Sequence, residues 1–244
     1  MADGKNFSKF AQDFMARTRK GDVYAENDFS QFDAMQCETT IELALALYRA
    51  CGMPEDICNM YKNKRMTWSL ATQERDISMQ GVEKKHSGAP DTLLENTFLN
   101  ICINFYVLNF SELAISMHEG DDFVASAASI SINKQNLSEL SGVLHLKQKF
   151  SMVEVPRFCG KILTDSVWAP DLIYCVAKVN SKWYKDKANF REYQLAVQDW
   201  LKPITDWKSL DAVCNSQARY YRDFQITPTE VRIMYDYLGV FFKF

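Results

Sequence analysis

The sequence predicts an α+β protein in which a mixed half of about 165 residues precedes an all-helical tail of about 75. Three observations carry this. Short apolar strand-like runs in the first half are separated by turn residues. Helices lie among them, with Thr39–Ala50 the plainest amphipathic case. From Asp171 onward every apolar pattern has helical period, punctuated only by Pro203 and Pro228.

Taken in order, residues 1–20 place Phe7, Phe10, Phe14 and Met15 at helical spacing. Gly21–Phe29 carries Val23, Tyr24 and Phe29 and reads as a short buried strand. Thr39–Ala50 puts Ile41, Ala44, Leu45 and Tyr48 on one helical face, and Gly52 with Pro54 stops it. Pro54–Lys64 reads as a further helix, and Trp68–Met79 as a hairpin. Lys84–Pro90 is a loop before a long apolar helix, Thr92–Phe110. Leu113–His118 and Phe123–Ala127 flank Glu119-Gly120-Asp121-Asp122 as a strand–turn–strand unit. A short helix over Asn133–Gly142, a strand over Leu144–Phe150 and another over Arg157–Leu163 complete this half. The tail contains helices over Leu172–Val179, Phe190–Leu201, Leu210–Phe224 and Thr229–Phe242.

Composition narrows the function classes. With 47% hydrophobic and 24% charged residues, the chain can bury a sizeable core and is not a disordered segment. The net charge of -3 gives no global basic signal, yet the charge is uneven. Residues 1–143 hold 13 Lys+Arg against 20 Asp+Glu, whereas residues 144–202 hold 10 against 6. An acidic region followed by a basic one suits a metal site beside a polyanion track, although clustering on solvated faces produces the same numbers. The seven cysteines are scattered without a CxxC pair, and the three histidines lack metal-ligand spacing. Thr97–Phe110, the most apolar run, is too short and too interrupted by Asn100, Asn104 and Asn109 to span a bilayer.

Three constellations carry chemistry. Asp28-Phe29-Ser30-Gln31-Phe32-Asp33 sets one aspartate at a strand end and a second where the chain turns toward a helix. A rigid strand-end carboxylate suits a hard metal, and Asp is equally common as a helix cap. In the second, His86-Ser87-Gly88-Ala89-Pro90 opens a helix on which Thr92, Asn96, Asn100 and Asn104 recur every four residues. That stripe either faces a catalytic cleft or is buried with bonded partners. In the third, Gly120-Asp121-Asp122 places two carboxylates side by side on a turn. A divalent cation would relieve their repulsion, and an ordinary surface turn uses the same residues.

In this order, Asp-x4-Asp, Ser-Gly-x3-Thr-x3-Asn and Gly-Asp-Asp resemble the motif set of viral RNA-dependent RNA polymerase palms. The resemblance is to the alphavirus-like group and, within it, to hepatitis E virus and its relatives. Glu26 through Asp33 looks like the first palm motif, and Lys84-Lys85-His86-Ser87-Gly88 through Asn96-Thr97 like the second. Cys51-Gly52-Met53-Pro54 matches between them. The similarity runs from Tyr24 to Leu163 and more loosely through the tail.

The resemblance implies a palm built on an antiparallel sheet with packing helices and a ferredoxin-like or RRM-like core, spanning residues 21–165. A lead-in helix (1–20) precedes it and a helical thumb (166–244) follows. It implies two Mg²⁺ or Mn²⁺ ions on Asp28 and Asp121 with Asp122 in support. Asp33 and Asn96, helped by Ser87, Gly88 and Thr92, would recognise the ribose 2′-hydroxyl. Reverse transcriptases resemble this palm too, but Asp33 and Gly120 favour RNA synthesis. Leu146–Phe150 looks like the fourth motif, with Lys147 as the proton donor to pyrophosphate; Lys149 shares its strand face. Phe158-Cys159-Gly160 resembles a primer-grip turn. In the tail, Lys178, Lys182, Trp183, Lys185 and Lys187 would track RNA phosphates or simply face solvent.

The implied partners are RNA template and primer, nucleoside triphosphates, and other replicase domains (fingers, helicase, capping enzyme). The implied location is host cytoplasm, in membrane-associated complexes, with no anchor in this segment. Only 27 residues precede Asp28, so most of the fingers are expected to lie elsewhere and the isolated chain to polymerise poorly. The competing expectation is a catalytically silent palm remnant that binds RNA or a partner protein.

Overall fold

The structure, a computed structural model, describes residues 4–30, 32–71, 78–82, 91–144, 147–164 and 167–241. Helix α1 (Gly4–Arg17) leads into strand β1 (Val23–Phe29). A one-turn helix α2 (Phe32–Met35), α3 (Glu38–Ala50) and α4 (Glu55–Met66) follow. The hairpin β2 (Thr67–Ala71) and β3 (Ser78–Val82) then precedes α5 (Thr92–Val107). Next come β4 (Leu108–Glu119), β5 (Asp122–Ile132), α6 (Lys134–Leu144) and β6 (Gln148–Val153).

Strands β4, β5, β1 and β6 form one antiparallel sheet in that order. With helices between β1 and β4 and between β5 and β6, this is a βαββαβ arrangement, the ferredoxin-like core the resemblance implies. Strand β1 is central and alternates cleanly. Ala25, Asn27 and Phe29 are buried on the face that α5 covers, while Tyr24, Glu26 and Asp28 point the other way.

Among the described residues, the second face is covered at one end only. There α1 and a small sheet of β7 (Arg157–Phe158), β8 (Lys161–Leu163) and β9 (Trp168–Pro170) pack over it. Phe14 fills the joint: it is fully buried, edge-on to Trp168, and clusters with Val124 and Phe158. The uncovered end of this face carries the aspartates.

The tail folds as α7 (Leu172–Ser181), α8 (Lys187–Leu201), α9 (Trp207–Tyr220), a 3-10 turn (Arg222–Phe224) and α10 (Pro228–Phe241). Each of α7, α8 and α9 is capped by an aspartate. Asp171, Asp186 and Asp206 accept the backbone N–H three residues on, at 3.0, 2.8 and 2.8 Å. Such a cap contributes about 1 kcal/mol. Leu172, Val197, Val213 and Leu238 meet in a core of the tail's own.

Three expected boundaries shift. Helix α5 stops at Val107, not Phe110, because Leu108 turns extended and pairs with Ile132. The expected strand at Leu144 starts instead at Gln148, since Leu144 ends α6. Arg157–Leu163 is a hairpin and not one strand, because Cys159 (φ 49°) and Gly160 (φ 70°) reverse the chain.

Candidate active site

Strand register brings the aspartates together. The last pairs between β1 and β5 are Glu26 with Val124 and Asn27 with Phe123, so Asp28 and Asp122 come next, abreast. Glu119 pairs with Asp122 across the β4–β5 turn, and Lys149 pairs with Asp28 across β1–β6. Opposed residues of antiparallel strands share a face. Glu119, Asp122, Asp28 and Lys149 therefore form one row across the open end of the sheet, with Asp121 on the turn beside it. Asp28, Asp121, Asp122 and Lys149 are all exposed.

The turn is held from below by α5. Asn100, fully buried, donates to the carbonyls of Gly120 (3.0 Å) and Asp122 (2.8 Å), and the Gly120 N–H donates to Thr97 Oγ1 (2.8 Å). Gly120 takes a positive φ of 61°, which suits a residue without Cβ. One turn further, Asn104 donates to the Asn100 carbonyl (2.8 Å) and accepts from Asn27 (3.2 Å). So the polar stripe of α5 divides. Asn100 and Asn104 do not face a cleft but are buried supports that fix the turn and the neighbour of Asp28. Asn96, at the other end, is also buried and is bonded to Asp33 and Gln36.

Asn96 donates to Asp33 Oδ1 at 2.7 Å, joining residues 63 positions apart. Thr92 opens α5 one turn before Asn96. Ser87 and Gly88 lie outside the described residues. Lys147 precedes β6, and its carbonyl accepts from the Ser30 N–H at 2.9 Å, next to the end of β1. It is Lys149, however, that lies directly across from Asp28. Phe158 is buried in the core, whereas the Cys159 thiol turns to Glu119 (3.5 Å), bringing that turn against the carboxylate row.

The electrostatics are those of crowded acids. The Asp122 carboxyl is raised, first because neighbouring protein strips water from it and then by the charge of Asp121. Glu26, on the same face, is pushed up to about 7 by burial, against hydrogen bonds from the Arg157 backbone and Tyr220. Burial also drives the Cys159 thiol far above its usual range, with Asp122 and Glu119 adding to it. Such a thiol stays protonated and donates.

Among the described residues, no three His, Cys, Asp or Glu side chains stand pre-arranged as a closed metal cage. Mg²⁺ does not need one. It binds through one or two carboxylates and completes its shell with water and substrate phosphates. Asp28, in the carboxylate row, and Asp121, on the turn beside it, are both exposed and are oxygen donors of the kind that set uses.

Several residues escaped sequence reasoning. Glu95 is 2% exposed and meets Arg65 at 2.6 Å; Tyr48 (2.9 Å) and Tyr61 also donate to it. Gln36, likewise buried, donates to Asn96 Oδ1 at 2.6 Å. Lys149, which the sequence reading names on the strand face of Lys147 but ranks below it, is the lysine across from Asp28. Arg65 and Gln36 offer no local signal.

A four-stranded antiparallel βαββαβ sheet with an aspartate ending its central strand and an Asp-Asp turn beside it defines the polymerase palm class. The family described as RNA dependent RNA polymerase matches residues 4–241, and the chain belongs to it. The non-structural polyprotein pORF1 of hepatitis E virus genotype 2 (isolate Human/Mexico) is 31% identical over 183 residues, which is 74% of this chain. That of genotype 1 (isolate Human/Pakistan/Sar-55) is 29% identical over 189 residues, 77% of this chain. The chain spans 11% of the length of either relative. Among solved structures, the RNA-dependent RNA polymerase of a human picorbirnavirus shares the fold. Its TM-score is 0.54 at 15% identity, over 93% of this chain and 46% of that one. An insertion-loop deletion mutant of that enzyme aligns over 91% of this chain with the same TM-score.

Proposed function

We propose that this chain carries the catalytic palm of an RNA-directed RNA polymerase that copies a viral RNA by template-directed nucleotidyl transfer. The observation that supports this best is the register that sets Asp28 abreast of Asp122 beside the Asp121 turn. Asp28 and Asp121 would hold two Mg²⁺ or Mn²⁺ ions, with Asp122 in support. Such a pair activates the primer 3′-hydroxyl and stabilises the leaving pyrophosphate. The protein's own contribution is positioning: β1 and the β4–β5 turn fix the carboxylates, and Asn100 fixes the turn.

Asp33 and Asn96 would read the ribose 2′-hydroxyl of the incoming nucleotide, which separates RNA from DNA precursors. Lys147 or Lys149 would donate a proton to pyrophosphate, and the position of Lys149 across from Asp28 supports Lys149. The cysteine turn Phe158-Cys159-Gly160 borders the carboxylates where a primer end would lie. Residues 21–165 would serve as palm and 166–244 as thumb. Template and primer RNA, nucleoside triphosphates and further replicase domains would be the partners, in membrane-associated complexes of the host cytoplasm. No helix among the described residues is long and apolar enough to cross a membrane.

The test is Mn²⁺-dependent RNA synthesis on a primed template by a longer polymerase chain carrying these residues, compared with its Asp121→Asn variant. The reading expects loss of at least about a hundredfold in kcat, as when one element of electrostatic stabilisation is removed. Equal activity in the two proteins would overturn it.

A further inference from the structure

Gln36 stands between the candidate sugar-reading pair and a buried ion pair. It is 2% exposed, directly after α2 and three residues beyond Asp33. Its Nε2 donates to Asn96 Oδ1 at 2.6 Å, while its Oε1 accepts from Arg65 Nη2 at 3.3 Å. Arg65 is held in turn by Glu95 at 2.6 Å and by the Tyr61 hydroxyl at 2.8 Å.

The direction of these linked hydrogen bonds has only one solution. A guanidinium donates and never accepts, and an ionised carboxylate accepts and never donates. Arg65 therefore forces Gln36 to turn its oxygen inward and its NH₂ toward Asn96. That forces Asn96 to turn its own oxygen toward Gln36 and its NH₂ toward Asp33. Asp33, acceptor only, closes the series at 2.7 Å. Both ends demand the same polarity, so the two amides cannot flip independently.

We infer that Gln36 is a positioning residue for nucleotide selection: with Arg65 behind it, it locks the Asn96 amide so that Asn96 and Asp33 together present a fixed donor–acceptor pair to a 2′-hydroxyl. The inference rests on the reading of Asp33 and Asn96 as the sugar-recognising pair. A site built to hydrogen-bond a hydroxyl rejects the analogue lacking it only while its own groups are held in place. Gln36 touches no substrate; it acts through Asn96.

Gln36→Glu is the sharpest probe. The carboxylate it introduces still pairs with Arg65, so the fold has a reason to survive. But that carboxylate accepts on the side where Gln36 donated. Whichever way Asn96 then turns, one acceptor faces another, either at position 36 or at Asp33. Gln36→Leu removes the orienting contact without imposing the opposite one, and Asn96→Ala removes the reader itself.

The experiment titrates ATP and dATP against the chain with primed template RNA and Mn²⁺, for the wild type and the three variants, with thermal unfolding as the fold control. Asn96 carboxamide NMR shifts report its orientation directly. The wild type should prefer ATP. Gln36→Glu should lose that preference by about tenfold, the equivalent of one hydrogen bond, with Asn96 shifts moved; Gln36→Leu should fall between. A merely structural role would weaken both nucleotides alike and leave the ratio unchanged. An unchanged ratio in Gln36→Glu with a reduced one in Asn96→Ala overturns the role of Gln36. An unchanged ratio in Asn96→Ala, or a wild type with no preference, overturns the sugar reading beneath it.

Discussion

The Asn100 side chain reaches across from α5 to hold the carbonyl of Asp122 at 2.8 Å, and with the same NH₂ that of Gly120 at 3.0 Å. Asn100 is fully buried. One amide thus sets the height of the turn on which Asp121 stands. Asn100→Ala would leave two carbonyls without this donor, at about 1–3 kcal/mol of stability. Denaturant unfolding should show that loss. Polymerisation by a longer chain bearing the same change should fall further than the stability loss explains, because the turn is freed to move.

Arg65 and Glu95 form the most enclosed ion pair among the described residues, with side chains 12% and 2% exposed. Arg65→Met removes the cationic partner of the buried Glu95 carboxylate and should cost about 3 kcal/mol, whereas adding Glu95→Gln should recover part of that. A double-mutant cycle on urea midpoints measures the coupling. Two independent, additive losses would show that the pair is not coupled.

His118 is enclosed between Phe105 and Phe123, with neither ring nitrogen hydrogen-bonded among the described residues, and burial lowers its pKa to about 4. The folded pKa lies below the unfolded one near 6.5, so the unfolded chain binds the extra proton first. The stability linked to His118 is complete above about pH 6.5 and is lost as pH falls toward about 4, by at most about 3 kcal/mol. His118→Phe should keep the ring packing and flatten stability across that window. Identical pH profiles for the two proteins would contradict this account of the site.

The site is legible in the sequence where chemistry follows chain order. Asp28 at a strand end and Asp121 on a tight turn follow from the local pattern and the Asp33–Asn96 pair from the family resemblance, and the fold brings Asp33 and Asn96 within hydrogen-bonding distance. What stays hidden depends on contacts across the fold. Lys149 becomes the neighbour of Asp28 only through the β1–β6 register, which a one-residue slip would reverse. Gln36 and Arg65 lie just outside the helices the sequence predicts, before Thr39–Ala50 and after Pro54–Lys64, and their link to Asn96 exists in three dimensions alone. The α5 stripe misleads in part, because a buried asparagine bonded to backbone and one facing substrate have the same spacing. Local pattern also carries α5 past its end, because Leu108–Phe110 is as apolar as the helix before it and only its pairing with Ser131 and its neighbours makes it a strand.

The most direct test of the central claim is Mn²⁺ binding to this chain, followed by electron paramagnetic resonance, in the wild type, Asp28→Asn, Asp121→Asn and the double variant. If the two carboxylates grip the same ions, each single change should weaken binding by about tenfold or more, and the double should be scarcely worse than either, as for residues acting as a unit. Single variants that bind Mn²⁺ like the wild type, or losses that simply add, would show that Asp28 and Asp121 do not share a metal site.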